Sequence, residues 1–316
     1  MFDKPTFFPS PCLVRHLILY CKRGYPAALS VKYKSGRAKG RRKESPMIDY
    51  HIHTSLSDDS QTPFEQMLDG ACRLGLTEVA ITDHDDPLYP DKEFPFTLDR
   101  PCYHRMLEDA FLQYRERLLV KRGLELGLQQ KALRQCRQVA SEYPYDFIIG
   151  SFHTSCGLLL DNGDFYEGKS GFEIHRAFYT DVYECLSLFK DYSVVGHLNI
   201  VDRYLHQLRP QERLNPPQAL EIIEEILKMI IYDGKGIELN TSSFRYGLPI
   251  LTPSVEILQM YRRLGGEIIT LGSDAHSPEY IADHFDYGLE VLERLGYRYI
   301  STFSLREPSF VKLTSL

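Results

Sequence analysis

From Met47 onward, short apolar runs of β type alternate with longer amphipathic stretches, and the runs end in a histidine or an acid. That alternation is the pattern of a parallel sheet with crossover helices. It predicts strands at 47–53, 78–83, 117–124, 146–152, 193–197, 235–240 and 267–273, with a further run at 297–303. Helices are predicted near 63–74, 102–115, 130–142, 172–189, 216–232, 253–264 and 279–295. Thr62-Pro63, Pro216-Pro217, Thr252-Pro253 and Ser277-Pro278 supply start signals, and Gly75, Gly265 and Gly296 sit where helices should stop. Seven or eight such units in ~270 residues suit a β/α barrel better than an open sheet. The expected fold is therefore α/β, a distorted seven-unit β/α (TIM-like) barrel in a single domain spanning 47–316. The proline-rich stretch from Asp85 to Pro101 reads as a substrate-side loop.

The strand ends carry the chemistry. His51 and His53 are one residue apart at the end of the first run and so point the same way, since strand side chains alternate. Asp58 and Asp59 follow within one short loop. The later runs end in Asp83-His84, Glu125, His153, His197, Glu238 and Asp274-Ala275-His276. In a β/α barrel all of these fall on the C-terminal face, where reactions occur. One histidine at a strand end is an ordinary structural residue. Six of the eleven in the chain (51, 53, 84, 153, 197 and 276), with carboxylates between them, are not. Without a metal, that many buried polar rings would leave unpaired groups at a few kcal/mol each. Imidazole and carboxylate together suit zinc, iron or manganese.

Charge divides the chain in two. Residues 1–46 hold eleven Lys/Arg against two acids, a balance of +9, which leaves 26 Lys/Arg against 41 acids, or −15, in residues 47–316. An acidic body repels nucleic acid, and one that handles an anionic substrate needs metal ions to reverse the local field. The basic segment could serve as a nucleic-acid-binding arm or an Arg-rich transit segment. The expectation is instead a disordered extension upstream of a native start at Met47. The seven cysteines form no C-x-x-C pair, which fits a reducing, cytoplasmic setting. No apolar run approaches the ~20 residues of a membrane span.

In order along the chain stand H-x-H-x-x-x-S-x-D-S, T-D-H, G-x-E, G-S-x-H, G-H and G-S-D-A-H. Together they resemble the PHP (polymerase and histidinol phosphatase) superfamily of metal-dependent phosphoesterases. The likeness covers 47–316 and none of 1–46. Within the superfamily the sequence is most similar to the monofunctional histidinol-phosphate phosphatases, through the segments 196–204, 238–242 and 303–313. The resemblance implies two or three divalent ions. His51, His53, Glu125 and Asp274 would hold the first, and Glu125 would bridge to a second completed by His153 and His197. A third would take His84, His276 and the acid five or six residues after His53, where Asp58 and Asp59 stand. The S-x-D-S pattern favours Asp59.

The implied activity is hydrolysis of L-histidinol phosphate to L-histidinol and phosphate, in histidine biosynthesis, through a metal-bridging hydroxide. Asp274 and His276 are candidates to protonate the departing oxygen. An arginine fork should complete the phosphate cradle, with Arg203 first and Arg245 second. Asp85, Asp86, Tyr89 and Tyr166 are candidate neighbours for the substrate's imidazole and ammonium groups. The only partner implied is a small phosphate ester, with neither nucleic acid nor membrane. Two rival readings are a PHP phosphoesterase for another phosphomonoester or a nucleotide, and a non-catalytic PHP module. Against the latter, every ligand position holds a competent residue.

Overall fold

The computed structural model describes residues 47–211 and 217–313. The expectations for the basic segment 1–46 lie outside the described residues. The strands are β1 (Met47–Ile52), β2 (Leu76–Ile81), β3 (His84–Asp85), β4 (Leu119–Arg122), β5 (Glu125–Gly127), β6 (Ile149–Ser151), β7 (Thr154–Ser155), β8 (Leu158–Leu159), β9 (Val194–Val195), β10 (Gly236–Asn240), β11 (Ile269–Gly272), β12 (Tyr299–Ser304) and β13 (Glu307–Lys312). The helices are α1 (Phe64–Leu74), α2 (Arg100–Tyr114), α3 (Leu133–Glu142), α4 (Gly171–Leu188), α5 (Ile200–Leu208), α6 (Pro217–Tyr232), α7 (Val255–Arg263) and α8 (Phe285–Arg294).

The α/β character and the parallel pairing follow the sequence pattern. One parallel sheet has the order β1-β2-β4 and a second the order β11-β10-β9-β6-β5-β3. Two residues separate β2 from β3 (Thr82, Asp83) and two separate β4 from β5 (Gly123, Leu124), so the predicted strands 78–83 and 117–124 take in most of β2 and all of β4 but stop short of β3 and β5. At its other margin β1 meets the end of β11: His53 N–H donates to Ala275 O (2.9 Å), and Ile52 bridges Ala275 in parallel. The 297–303 run pairs antiparallel with β13. Phe303 from this hairpin packs on Tyr50 and Phe147.

The central strands read as near-continuous apolar runs because both faces are covered. Ile149, Val195, Ile237 and Ile269 are wholly buried, each burial stabilising by about 1.5–3 kcal/mol. Helices α4, α6 and α7 pack in succession against one another. Helix α4 starts in a capping box, Ser170 with Glu173, and α1 stops at Gly75 in the left-handed region (φ 80°) that glycine alone adopts without strain. Two helix expectations need correction. Ser277-Pro278 opens a single 3-10 turn rather than a long helix, and α8 begins only at Phe285. Helix α5 was not anticipated, because it is short and Asn199 before it makes no side-chain cap. Among the described residues no helix is long and apolar enough to cross a membrane.

Candidate metal centre

Every one of the six strand-end histidines reaches the same region. Glu125, at the start of β5 and fully buried, is its hub. Its Oε2 lies 3.0 Å from His51 Nε2, 3.4 Å from His53 Nε2 and 3.4 Å from His84 Nδ1. Its Oε1 lies 2.9 Å from His197 Nε2 and 3.3 Å from His153 Nε2. Asp274 Oδ1 stands 3.4 Å from His53 Nε2 and 3.7 Å from His276 Nδ1. Asp59 Oδ2 stands 2.9 Å from His276 Nε2 and 3.4 Å from His84 Nε2. Four overlapping groups result, with ligand atoms mutually within 4.8 Å: His51/His53/Asp274, His51/Glu125/His197, His84/Glu125/His153 and His53/Asp59/His84/His276. His51, His53, His84 and Glu125 each belong to two of these groups.

The electrostatics suit cation binding. Burial pushes His53 down to about 3, helped by its neighbours His276 and His84, so the ring is neutral with its lone pair available. Burial opposes the charge of Glu125, but His51, His84 and His153 hold it well below the usual carboxylate range. Asp274 behaves in the same way, with His51, His53, His276 and Arg203 outweighing burial. His53 Nε2 and His84 Nδ1 are buried and have no hydrogen-bond partner among the described residues, although both face carboxylate oxygens. An orphaned buried nitrogen costs about 1–3 kcal/mol, and a cation between these nitrogens and the carboxylates removes that penalty. The donor set fits a borderline divalent metal. His197 and Asp274 also adopt positive φ (23° and 54°), the kind of backbone strain that persists at functional sites.

The other expected site residues divide. Arg203, on α5, is buried with Nη2 2.6 Å from Ser242 Oγ and 3.5 Å from Asp274 Oδ2. Its plane covers the Tyr246 ring at 4.4 Å, and its Nε–H has no partner among the described residues. Arg245 instead spends its fork on the backbone, donating to Ser273 O (2.9 Å) and Asp274 O (2.6 Å). Asp85 is a correction. Because β3 alternates, His84 faces the cluster and Asp85 the helices, where it pairs with Arg100 at 3.1 Å. Asp85→Asn should accordingly leave kcat/KM within about threefold; a substrate contact would lose tenfold or more. Asp86 holds His153 Nδ1 at 2.6 Å, and Asp58 accepts the Phe96 backbone N–H.

The PHP domain pattern matches residues 49–242 of this chain. The chain belongs to the PHP domain family. A histidinol-phosphatase of Lactococcus lactis subsp. lactis is 27% identical over 265 residues, covering 81% of this chain and 94% of that protein. A crystal structure of histidinol phosphate phosphatase from the same organism, complexed with zinc, L-histidinol and phosphate, superposes with a TM-score of 0.73 at 26% identity. That match covers 83% of this chain and 98% of the Lactococcus chain. A candidate histidinol phosphatase structure from Listeria monocytogenes shares the fold, with a TM-score of 0.68 at 20% identity over 76% of this chain and 99% of its own.

Of the residues that hold the PHP site in shape, Glu238 and Asp83 stand among the strand ends read from the sequence but without a role, and Asp49 was not singled out. Glu238 accepts from His51 Nδ1 (2.6 Å) and from the backbone N–H of His197 (2.8 Å). Buried Asp49 accepts from Ser273 N–H (3.0 Å) and Ala282 N–H (3.0 Å), fixing the loop that carries Asp274 and His276. Asp83 does the same for the loop before Asp59, accepting from Thr54 N–H (2.6 Å) and Ser57 Oγ (3.0 Å). Burial pushes both of these carboxyls up to about 6. The available signal was alternation: Asp49 shares the face of His51 within an apolar run.

Proposed function

We propose that this chain is a metal-dependent phosphomonoesterase that hydrolyses L-histidinol phosphate to L-histidinol and phosphate, a step of histidine biosynthesis. The observation that carries it is six imidazoles and three carboxylates from six strand ends converging beside a buried arginine whose Nε–H has no partner among the described residues. The likeness to an enzyme crystallised with zinc, L-histidinol and phosphate supports the choice of substrate. The two parallel sheets are read as one distorted barrel of seven units. Supporting this are the short breaks within β2–β3 and β4–β5 and the Ile52–Ala275 bridge. Residues 47–316 then form the catalytic unit, cytoplasmic, with a small phosphate ester as its partner.

His51, His53, Glu125 and Asp274 would hold one ion, Glu125, His153 and His197 a second, and Asp59, His84 and His276 a third. Zinc, iron or manganese bound there would supply Lewis acidity toward the phosphate and lower the pKa of water to about 7. Arg203 binds the phosphate, because its guanidinium is buried, always charged and set by Tyr246 and Ser242. Asp274, held ionised by its histidine and arginine neighbours, has no proton to give until it takes one from the attacking water. His276 sits at the rim, where protons exchange with solvent, so these two groups are assigned proton transfer to the departing alcohol oxygen. Arg245 positions rather than binds, by fixing the Ser273 and Asp274 carbonyls.

The test is phosphate release from histidinol phosphate with and without chelator. Activity should be lost on chelation and restored by added zinc or manganese, with histidinol phosphate preferred about a hundredfold over other phosphomonoesters. Equal rates across such a panel would discard the substrate assignment. Arg203→Ala should lower kcat/KM at least about tenfold, roughly 1.4 kcal/mol, with metal content unchanged. Unaltered kinetics would remove Arg203 from the phosphate site.

A further inference from the structure

The adjacent acids Asp58 and Asp59 diverge. Asp59 reaches His84 and His276, whereas Asp58 Oδ2 accepts the backbone N–H of Phe96 at 2.7 Å. Phe96 lies in the proline-rich connection between β3 and α2, far from Asp58 in sequence. Its carbonyl oxygen accepts from Asp86 N–H at 2.9 Å, so both main-chain groups of this residue are tied to acids beside the cluster. Between these ties Phe96 adopts φ 45°, a region that L side chains rarely occupy and that persists only where surroundings impose it. The consequence is where the ring goes. Its centroid is 4.4 Å from His84 and 5.0 Å from Tyr89, forming an aromatic wall at the edge of the candidate metal centre.

We infer that Asp58 is a positioning residue for substrate recognition: by holding the Phe96 N–H it keeps the Phe96 ring against His84, where the wall packs on the ring-bearing half of the ester. This rests on the reading of the substrate as histidinol phosphate. A flat, partly cationic imidazole is the kind of group an aromatic wall binds well. The tip of the loop is exposed and contains Lys92, a trypsin site.

The experiment compares wild type, Asp58→Ala, Asp58→Asn and Phe96→Ala. Its readouts are metal content, tryptic cleavage after Lys92, and kinetics on histidinol phosphate and on glycerol phosphate, which has no ring. Asp58→Ala should speed cleavage at Lys92 and raise KM for histidinol phosphate about tenfold, with metal content and the glycerol phosphate kinetics little changed. Phe96→Ala should reproduce the KM effect. Asp58→Asn, which keeps an acceptor oxygen, should restore most of both. Unchanged cleavage and KM in Asp58→Ala would overturn the inference. So would a loss of metal from Asp58→Ala, since Asp58 would then be a ligand. If wild type fails to hydrolyse histidinol phosphate, the substrate reading falls. Faster Lys92 cleavage in Asp58→Ala with metal retained would still uphold the loop anchor.

Discussion

Replacing Glu125 by Gln is expected to strip the protein of most of its metal and to lower kcat/KM by at least about 10³-fold, roughly 4 kcal/mol. The change is isosteric, so its effect is electrostatic. Both carboxylate oxygens face imidazole nitrogens, His197 and His153 on one side and His51, His53 and His84 on the other, all within 3.4 Å. Glutamine removes the negative charge from the centre of that group and turns an NH2 toward nitrogens whose lone pairs should face a cation. Among the described residues the other acids each face only part of the group: Asp274 faces His51, His53 and His276, Asp59 faces His84 and His276, and Asp86 faces His84 and His153. The fold should survive, because Glu125 contributes to β5 through backbone pairing with β3 and β6. Elemental analysis, circular dichroism and steady-state kinetics on one preparation separate these effects. A folded variant with full metal content and kcat/KM within tenfold of wild type would remove Glu125 from the centre of the site.

What the sequence made legible was whatever depends on local period. His51 and His53 had to share a face, and parallel strands with crossover helices had to gather strand ends on one side. The placement of Glu125, His153, His197, Asp274 and His276 follows from that alone. The direction of Asp85 is legible too, because an inward His84 forces its neighbour outward. The breaks in the second and third strands were not legible. At Gly123 a Cβ would come 2.3 Å from Ile81 O, a close approach between neighbouring strands that no local pattern announces. Helix α5 was missed because Asn199 spends its amide on Asp202 rather than on capping. The direction of the Arg245 fork and the partner of Glu238 depend on contacts between distant segments. Glu238 bonds to a residue 187 positions away, and a single sequence contains no term for such a meeting.

Gly272→Ala should be among the most damaging single-methyl changes available, because it strikes the fold and the site at one point. Gly272 ends β11, where a Cβ would lie 1.9 Å from Glu238 Oε1 and 2.7 Å from His51 Cβ. Its backbone is not in the left-handed region, so the conflict is one of space. A side-chain end can usually withdraw, but this one is fastened. Glu238 is buried, with one oxygen on His51 Nδ1 (2.6 Å) and Asn240 Nδ2 (3.2 Å) and the other on the His197 N–H (2.8 Å). Either β11 is pushed away from β10 or Glu238 is expelled. Overpacking of this kind costs about 1–3 kcal/mol, and loss of the carboxylate that orients a ligating histidine costs about 10–100-fold in metal affinity. Denaturant unfolding and metal competition measure the two costs separately. Adding Glu238→Ala to Gly272→Ala removes the tighter clash and leaves the one with His51 Cβ, so the double variant should regain part of the stability while metal affinity stays low. If Gly272→Ala alone unfolds at the wild-type denaturant midpoint, Glu238 has room to move, and its role as a fixed support for His51 fails with it.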